Sequence, residues 1–145
     1  QIPFAMRLLL DTCIVAYMSL EPDRLSQDVL ALIEDYDNQL CVSIETVKEL
    51  IVAYRRKGLG RKLWKKENDI IDMLTNDLCI NILPICEEHI RTYAKLTINE
   101  AQGHFDPSDH IIIAHAITEK MPLVSSDHKF DFYISQGLQY ICNSR

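Results

Sequence analysis

Five short apolar runs alternate with segments of helical period along this chain, and no other feature limits its possible folds as much. The runs are RLLL, LCVS, CINILPI, PLVS and LQYIC. Between them, Val29, Leu32, Ile33 and Tyr36 recur at i, i+3, i+4 and i+7, and Val47, Leu50, Ile51 and Tyr54 do the same. Ile90, Tyr93, Ala94 and the neighbouring Thr97 continue that period in a third segment. Strands separated by helices predict βαβ units, a mostly parallel sheet and helices on both of its faces. The expected fold is a three-layer α/β/α sandwich. With only four glycines and five prolines, the linkers are short, and no repeat or low-complexity segment interrupts the pattern.

A chain of 145 residues buries one core, so a single domain over residues 1–145 is expected. No apolar stretch reaches the roughly 18 residues of a membrane helix, which argues against a membrane role. The run Met6–Leu10 is cut off by Asp11 and lacks a basic flank of any length and a cleavage site, so it does not read as a signal peptide. Gln1–Ala5 precede a methionine and the first strand, and read as an upstream or vector-derived remnant. The five cysteines (13, 41, 79, 86 and 142) include no CxxC pair, which argues against a zinc ribbon or thioredoxin motif. Cys41, Cys79 and Cys142 lie in β-like runs and are expected to be reduced, buried apolar side chains of a cytoplasmic protein.

In a parallel sheet covered by helices, ligands bind outside the carboxyl ends of the strands. Asp11 closes RLLLD and Asp127 closes LVSSD, which places both at that edge. Each is a helix N-cap or an acid of a cleft. In Asp106-Pro107-Ser108-Asp109, Asp106 suits an N-cap, Pro107 the first helical position, and Asp109 either a capping-box acid at N3 or a cleft acid. Glu49 points away from the Val47, Leu50, Ile51 and Tyr54 face and reads as a solvated residue or a ligand. Glu45, one turn earlier, competes for any such role. Thr12 stands ready to cap a helix or to hold a metal-bound water. Carboxylates gathered in one place repel one another, a hard divalent cation relieves that repulsion, and an ion so held over an open cleft suits phosphodiester cleavage.

The net charge of −6 argues against nucleic-acid binding, but the basic residues are unevenly spread. Arg55, Arg56, Lys57, Arg61, Lys62, Lys65 and Lys66 fall within twelve residues without an acid among them, and Trp64 lies in their midst. The segment reads as a phosphate-binding border with Trp64 stacking on a base, or as a solvated helix end with Trp64 in an apolar patch beside Leu59 and Leu63. His115, within IIIAHAI, reads as a satisfied core histidine, and His104, His110 and His128 flank the acids without suiting a hard cation. No Ser-His-Asp order, P-loop or GxGxxG supports acyl transfer or nucleotide hydrolysis.

Four segments in this order and spacing resemble the PIN domain, most closely the VapC-type toxins of bacterial toxin–antitoxin pairs. They are LLLDTCI near the start, S-x-x-T-x-x-E-L at Ser43 to Leu50, DPSDHIIIAHA at 106–116, and LVSSDHKF at 123–130. The resemblance implies an acidic quartet of Asp11, Glu49, Asp109 and Asp127, with Thr12 and Ser125 as supporting hydroxyls and Asp106 as an additional supporting acid. Ser125 stands where many relatives carry threonine, and Asp127 to Phe130 matches the family's D-x-x-F ending. The implied activity is cleavage of RNA with Mg²⁺ or Mn²⁺, the ion serving to activate a water and stabilise the departing 3′ oxygen. The expected products carry 5′-phosphate and 3′-hydroxyl ends. The resemblance further implies a homodimer and an antitoxin partner that covers the cleft and places a basic side chain among the acids. Two rivals stand beside it. A haloacid-dehalogenase-type phosphatase would need D-x-D, and Cys13 occupies the second position. A non-catalytic PIN-like module would bind RNA or protein through the basic segment.

Overall fold

The computed structural model describes residues 6–144, and the expectation for Gln1–Ala5 lies outside them. Five strands form one sheet: β1 (Arg7–Leu10), β2 (Gln39–Ser43), β3 (Asn81–Leu83), β4 (Leu123–Ser125) and β5 (Tyr140–Cys142). Their order is β3-β2-β1-β4-β5, and every neighbouring pair is parallel. The helices are α1 (Thr12–Leu20), α2 (Gln27–Glu34), α3 (Ile44–Lys57), α4 (Glu67–Asp72), α5 (Glu87–Lys95) and α6 (Pro107–Glu119). A 3₁₀ segment, His128–Gln136, links β4 to β5. The three-layer α/β/α expectation holds. Among the described residues, no helix is long and apolar enough to cross a membrane.

The central strand shows why the sequence takes this form. Leu8, Leu9 and Leu10 are all fully buried, because both faces of β1 are covered. The twofold period of the strand then splits them. Leu8 and Leu10 pack with Val42, Val124, Ile14, Val29, Leu50 and Ile70 on the side of α1–α4. Leu9 packs with Cys41, Leu123, Ile112, Ile113, Phe130 and Tyr133 on the side of α6 and the 3₁₀ segment. A fully buried leucine contributes about 1.5–3 kcal/mol, so this strand alone anchors both half-cores.

Helix starts carry the local signals that set the cleft. Asp11 caps α1, Ser43 caps α3 and Asp106 caps α6, each accepting a backbone N–H; Asp127 caps the 3₁₀ segment in the same way. Pro107 takes the first position of α6, as its fixed φ favours. At the far end of α3, Gly58 and Gly60 both adopt φ of 70°. A Cβ on Gly60 would lie 2.3 Å from the Trp64 ring, so the turn admits only glycine and clamps Trp64 inside, where it is 2% exposed.

Three expectations are corrected here. Tyr36 lies past the end of α2 and is fully exposed, because Asp35 ends the helix before the period can complete. On α5 the inward side chain is His89, whereas Ile90 is 45% exposed and Ala94 faces out, a rotation of the face by one residue. Cys79 is exposed in a left-handed turn before β3, and only Cys41 of the three β-run cysteines is buried.

Candidate active site

The carboxyl ends of β1 and β4 lie side by side at the point where the strand order reverses, which is where a parallel sheet opens a crevice. Asp11 leaves β1 there and is 6% exposed. Its Oδ1 accepts the Thr12 N–H at 2.9 Å and its Oδ2 accepts the Ser125 hydroxyl at 2.6 Å. Ser125 Oγ in turn accepts the Asp127 N–H at 3.3 Å, which joins the two strand-end acids through one hydroxyl. Asp127 Oδ1 accepts the Lys129 N–H at 2.9 Å, and the Tyr140 hydroxyl donates to the Asp127 carbonyl at 2.7 Å.

The helices complete the cleft. Thr12 donates its hydroxyl to Glu49 of α3 in a short hydrogen bond and lies 3.2 Å from the Thr46 hydroxyl. Glu49 therefore faces a neighbouring helix start, although helical period alone allows it to face water. Glu45 is occupied elsewhere: it accepts from Ser108 Oγ at 2.6 Å and pairs with Lys48 at 2.7 Å. Burial raises its carboxyl, but those hydrogen bonds outweigh burial and hold it below the ordinary value. Glu49, Asp106 and Asp109 each bring a carboxylate oxygen within 4.8 Å of the others, and Asp109, Asp127 and His104 form a second such group. Asp109 belongs to both. It does not close a capping box; its Oδ2 meets His104 Nε2 at 3.0 Å. Asp106, expected in a supporting position, caps Ser108 with Oδ1 while its carboxylate reaches the acidic group itself.

The electrostatics follow from this crowding. Burial, followed by repulsion from neighbouring acids, raises Glu49 and Asp109 to about 7. Burial raises Asp11 to about 6, with Asp109 adding to it and the Ser125 hydrogen bond opposing it. Burial and the Asp11 charge push the Cys13 thiol up to about 11, so it is an inert neighbour and no second acid. Carboxylates held close at such cost form an all-oxygen donor set with His104 at its margin, and that set fits Mg²⁺ or Mn²⁺.

Sequence reasoning set His104 aside. It is 3% exposed, and its Nδ1 lies 2.8 Å from the Tyr133 hydroxyl, which accepts the Asn99 N–H at 3.1 Å. With the Tyr133 proton given to Nδ1, Nε2–H points at Asp109 and holds that carboxylate in place. Burial lowers the His104 pKa, which keeps the ring neutral for this role. Only its closeness to the DPSD segment marks it in the sequence.

The basic segment divides. Arg56 and Lys57 line a cleft of about 420 Å³ together with Thr12, Lys48, Glu49, Val52, Ala53 and Ser108. Arg55 pairs with Glu67 at 2.7 Å, and Arg61 donates to the carbonyls of Tyr54 and Arg55, closing the end of α3. Lys62, Lys65 and Lys66 are exposed beyond that end. Trp64 is buried and not placed to stack on a base, because the Gly60 turn folds over it.

The fold and site define a parallel α/β protein with carboxylates gathered at the central carboxyl edge of its sheet. The PIN domain family model matches residues 8–133, and the chain belongs to that family. A comparison with curated proteins by sequence gives no match. Among solved structures, the chain is similar to one in VapBC2 from Rickettsia felis bound to a DNA fragment from its promoter, at 19% identity and a TM-score of 0.71, covering 94% of this chain and 98% of that one. It is similar to one in VapBC-1 from nontypeable Haemophilus influenzae, at 23% identity and a TM-score of 0.66, covering 97% and 100%. A third likeness is to VapBC-5 from Mycobacterium tuberculosis, of the VapBC family of toxin-antitoxin systems, at 18% identity and a TM-score of 0.62, covering 94% and 98%. At these identities the likeness shows a shared fold.

Proposed function

We propose that this PIN-domain protein is a metal-dependent endoribonuclease and the toxin of a toxin–antitoxin pair. One observation carries the reading: Asp109 shares one carboxylate group with Glu49 and Asp106 and another with Asp127, Asp11 joins Asp127 through the Ser125 hydroxyl, and burial with mutual repulsion raises Asp11 to about 6 and Glu49 and Asp109 to about 7.

Asp11, Glu49, Asp109 and Asp127 would hold Mg²⁺ or Mn²⁺, with Asp106 at the same group. When bound, the ion supplies Lewis-acid charge for attack of water on a phosphodiester. The protein's own groups do the rest. Thr12 orients Glu49, Ser125 orients Asp11, and His104 orients Asp109. Lys48, Arg56 and Lys57, beside Glu49, offset the repulsion between the acids and an RNA backbone, and Lys62, Lys65 and Lys66 extend the positive surface. The same cleft has an apolar wall in Val52 and Ala53, which suits a partner segment that covers it. An antitoxin arginine reaching the acids would make bidentate carboxylate contacts and stand in for the metal's charge. The chains it resembles were solved in VapBC assemblies, which supports such a partner; a homodimeric toxin belongs to the same proposal.

The test is incubation of purified protein with total RNA, first with Mg²⁺ or Mn²⁺ and then with chelator. Cutting that needs the metal and vanishes in Asp11→Asn and Asp109→Asn supports the nuclease. Cutting that persists undiminished in both variants removes it.

A further inference from the structure

The other end of α6 carries a second cluster, of different chemistry. His115 and Glu119 lie one turn apart on α6, and His89 of α5 faces them. Each of the three offers a donor atom within 4.8 Å of the other two. His115 is fully buried, and neither of its ring nitrogens has a hydrogen-bond partner. A buried imidazole normally satisfies at least one nitrogen, so the expected satisfied core histidine is absent here. Its ring lies against that of His89, with centroids 4.1 Å apart. No apolar role requires two imidazoles at this position.

We propose that His89, His115 and Glu119 form a binding site for a borderline divalent cation of the zinc class, separate from the acidic cleft. Two imidazole nitrogens and one carboxylate make a donor set that favours Zn²⁺ over Mg²⁺, and three protein ligands leave one position open. The outer contacts suit it. His89 Nε2 meets Glu119 Oε2 at 2.7 Å, and Arg7 approaches the other Glu119 oxygen at 3.6 Å. In the metal-free chain the Cys86 N–H donates to His89 Nδ1 at 2.9 Å, so the ring proton sits on Nε2. Coordination through Nε2 therefore requires that proton to pass to Nδ1 and the ring to turn off the Cys86 N–H toward Cys86 Sγ, 3.4 Å away, as its acceptor. Glu119 is one-third exposed and gives the ion a way in. Six residues along α6 separate His115 from Asp109, about 9 Å of helix axis, so the ion would clamp α5 to α6 without touching the acids.

The experiment is titration of the metal-free full chain with Zn²⁺ in excess Mg²⁺, read by chelator competition and by thermal melting, with Co²⁺ as a visible-absorption probe. One tightly held equivalent, a raised melting temperature and a tetrahedral Co²⁺ spectrum are expected. Glu119→Gln, at a partly exposed position, and His115→Leu, of similar volume, should each weaken Zn²⁺ binding by at least about tenfold, whereas Asp109→Asn leaves it unchanged. No tight zinc, equal binding by Glu119→Gln, or binding lost in Asp109→Asn would overturn the proposal; the last would place the ion among the cleft acids.

Discussion

The two ends of α6 invite comparison, because one helix of thirteen residues presents opposite protonation chemistry at its two ends. At the N-terminal end, Asp109 sits among other acids and is raised to about 7 by burial and their charges. Toward the C-terminal end, burial drives His115 down to about 4, and the hydrogen bond from His89 lowers Glu119. Burial disfavours charge in both places. The sign differs because the first site is built of carboxylates and the second pairs two imidazoles with one hydrogen-bonded carboxylate, a donor set that favours a softer cation.

The harshest way to break the contrast is at Asp11 or Asp109. Conversion of either to asparagine is expected to cut metal-dependent RNA cleavage by about 10²–10³-fold or more, measured as initial rates on a defined RNA. The same Asp109→Asn change should stabilise the metal-free fold at pH 8 by about 1–3 kcal/mol, since it removes a raised carboxylate.

The pH dependence sharpens it. Asp11, Glu49 and Asp109 have folded pKa values raised above 3.8 or 4.5, so their contribution is full below about pH 4 and lost as pH rises through 6–7. His115 is depressed from 6.5 to about 4, so its contribution is present above pH 6.5 and lost as pH falls toward 4. Over this window the two slopes oppose. Melting of metal-free His115→Leu should fall more steeply from pH 4 to 7 than in the parent, and Asp109→Asn should fall less.

A smaller effect is expected along the chain that holds Asp109. Tyr133→Phe removes the hydroxyl between Asn99 and His104, at a cost of about 1–3 kcal/mol by denaturant unfolding, and lowers cleavage by about tenfold. His115→Leu, by contrast, should raise metal-free stability by about 1 kcal/mol, because it deletes two unpaired buried nitrogens. The least change belongs to the basic rim. Lys57→Ala should lower the salt slope of RNA binding by about one, whereas Arg55→Ala, already paired with Glu67, should leave it unchanged.

Strand positions were legible in residues 7–10, 39–43 and 123–125 because a buried parallel strand writes itself as an uninterrupted apolar run. The caps were legible for a similar reason: Asp11 and Asp106 act on neighbours one or two residues away. Glu49 was not. Helical period shows which side of α3 is apolar, but it is silent on whether the opposite side meets water or the start of α1. Trp64 was legible only as either a base-stacking or an apolar-patch residue, because its partner is the left-handed turn at Gly60, whose conformation the surrounding basic residues conceal.

From its own order of residues the chain determines a parallel sandwich and sets Asp11 and Asp127 at the carboxyl edge, since those outcomes depend on local period and capping. Tertiary structure alone decides that Glu49 turns to Thr12 and Glu45 to Ser108, that His104 props Asp109, and that His115 lies unpaired against His89. These pairings join side chains from different elements, and contact through space between such elements leaves no trace in the local pattern of either.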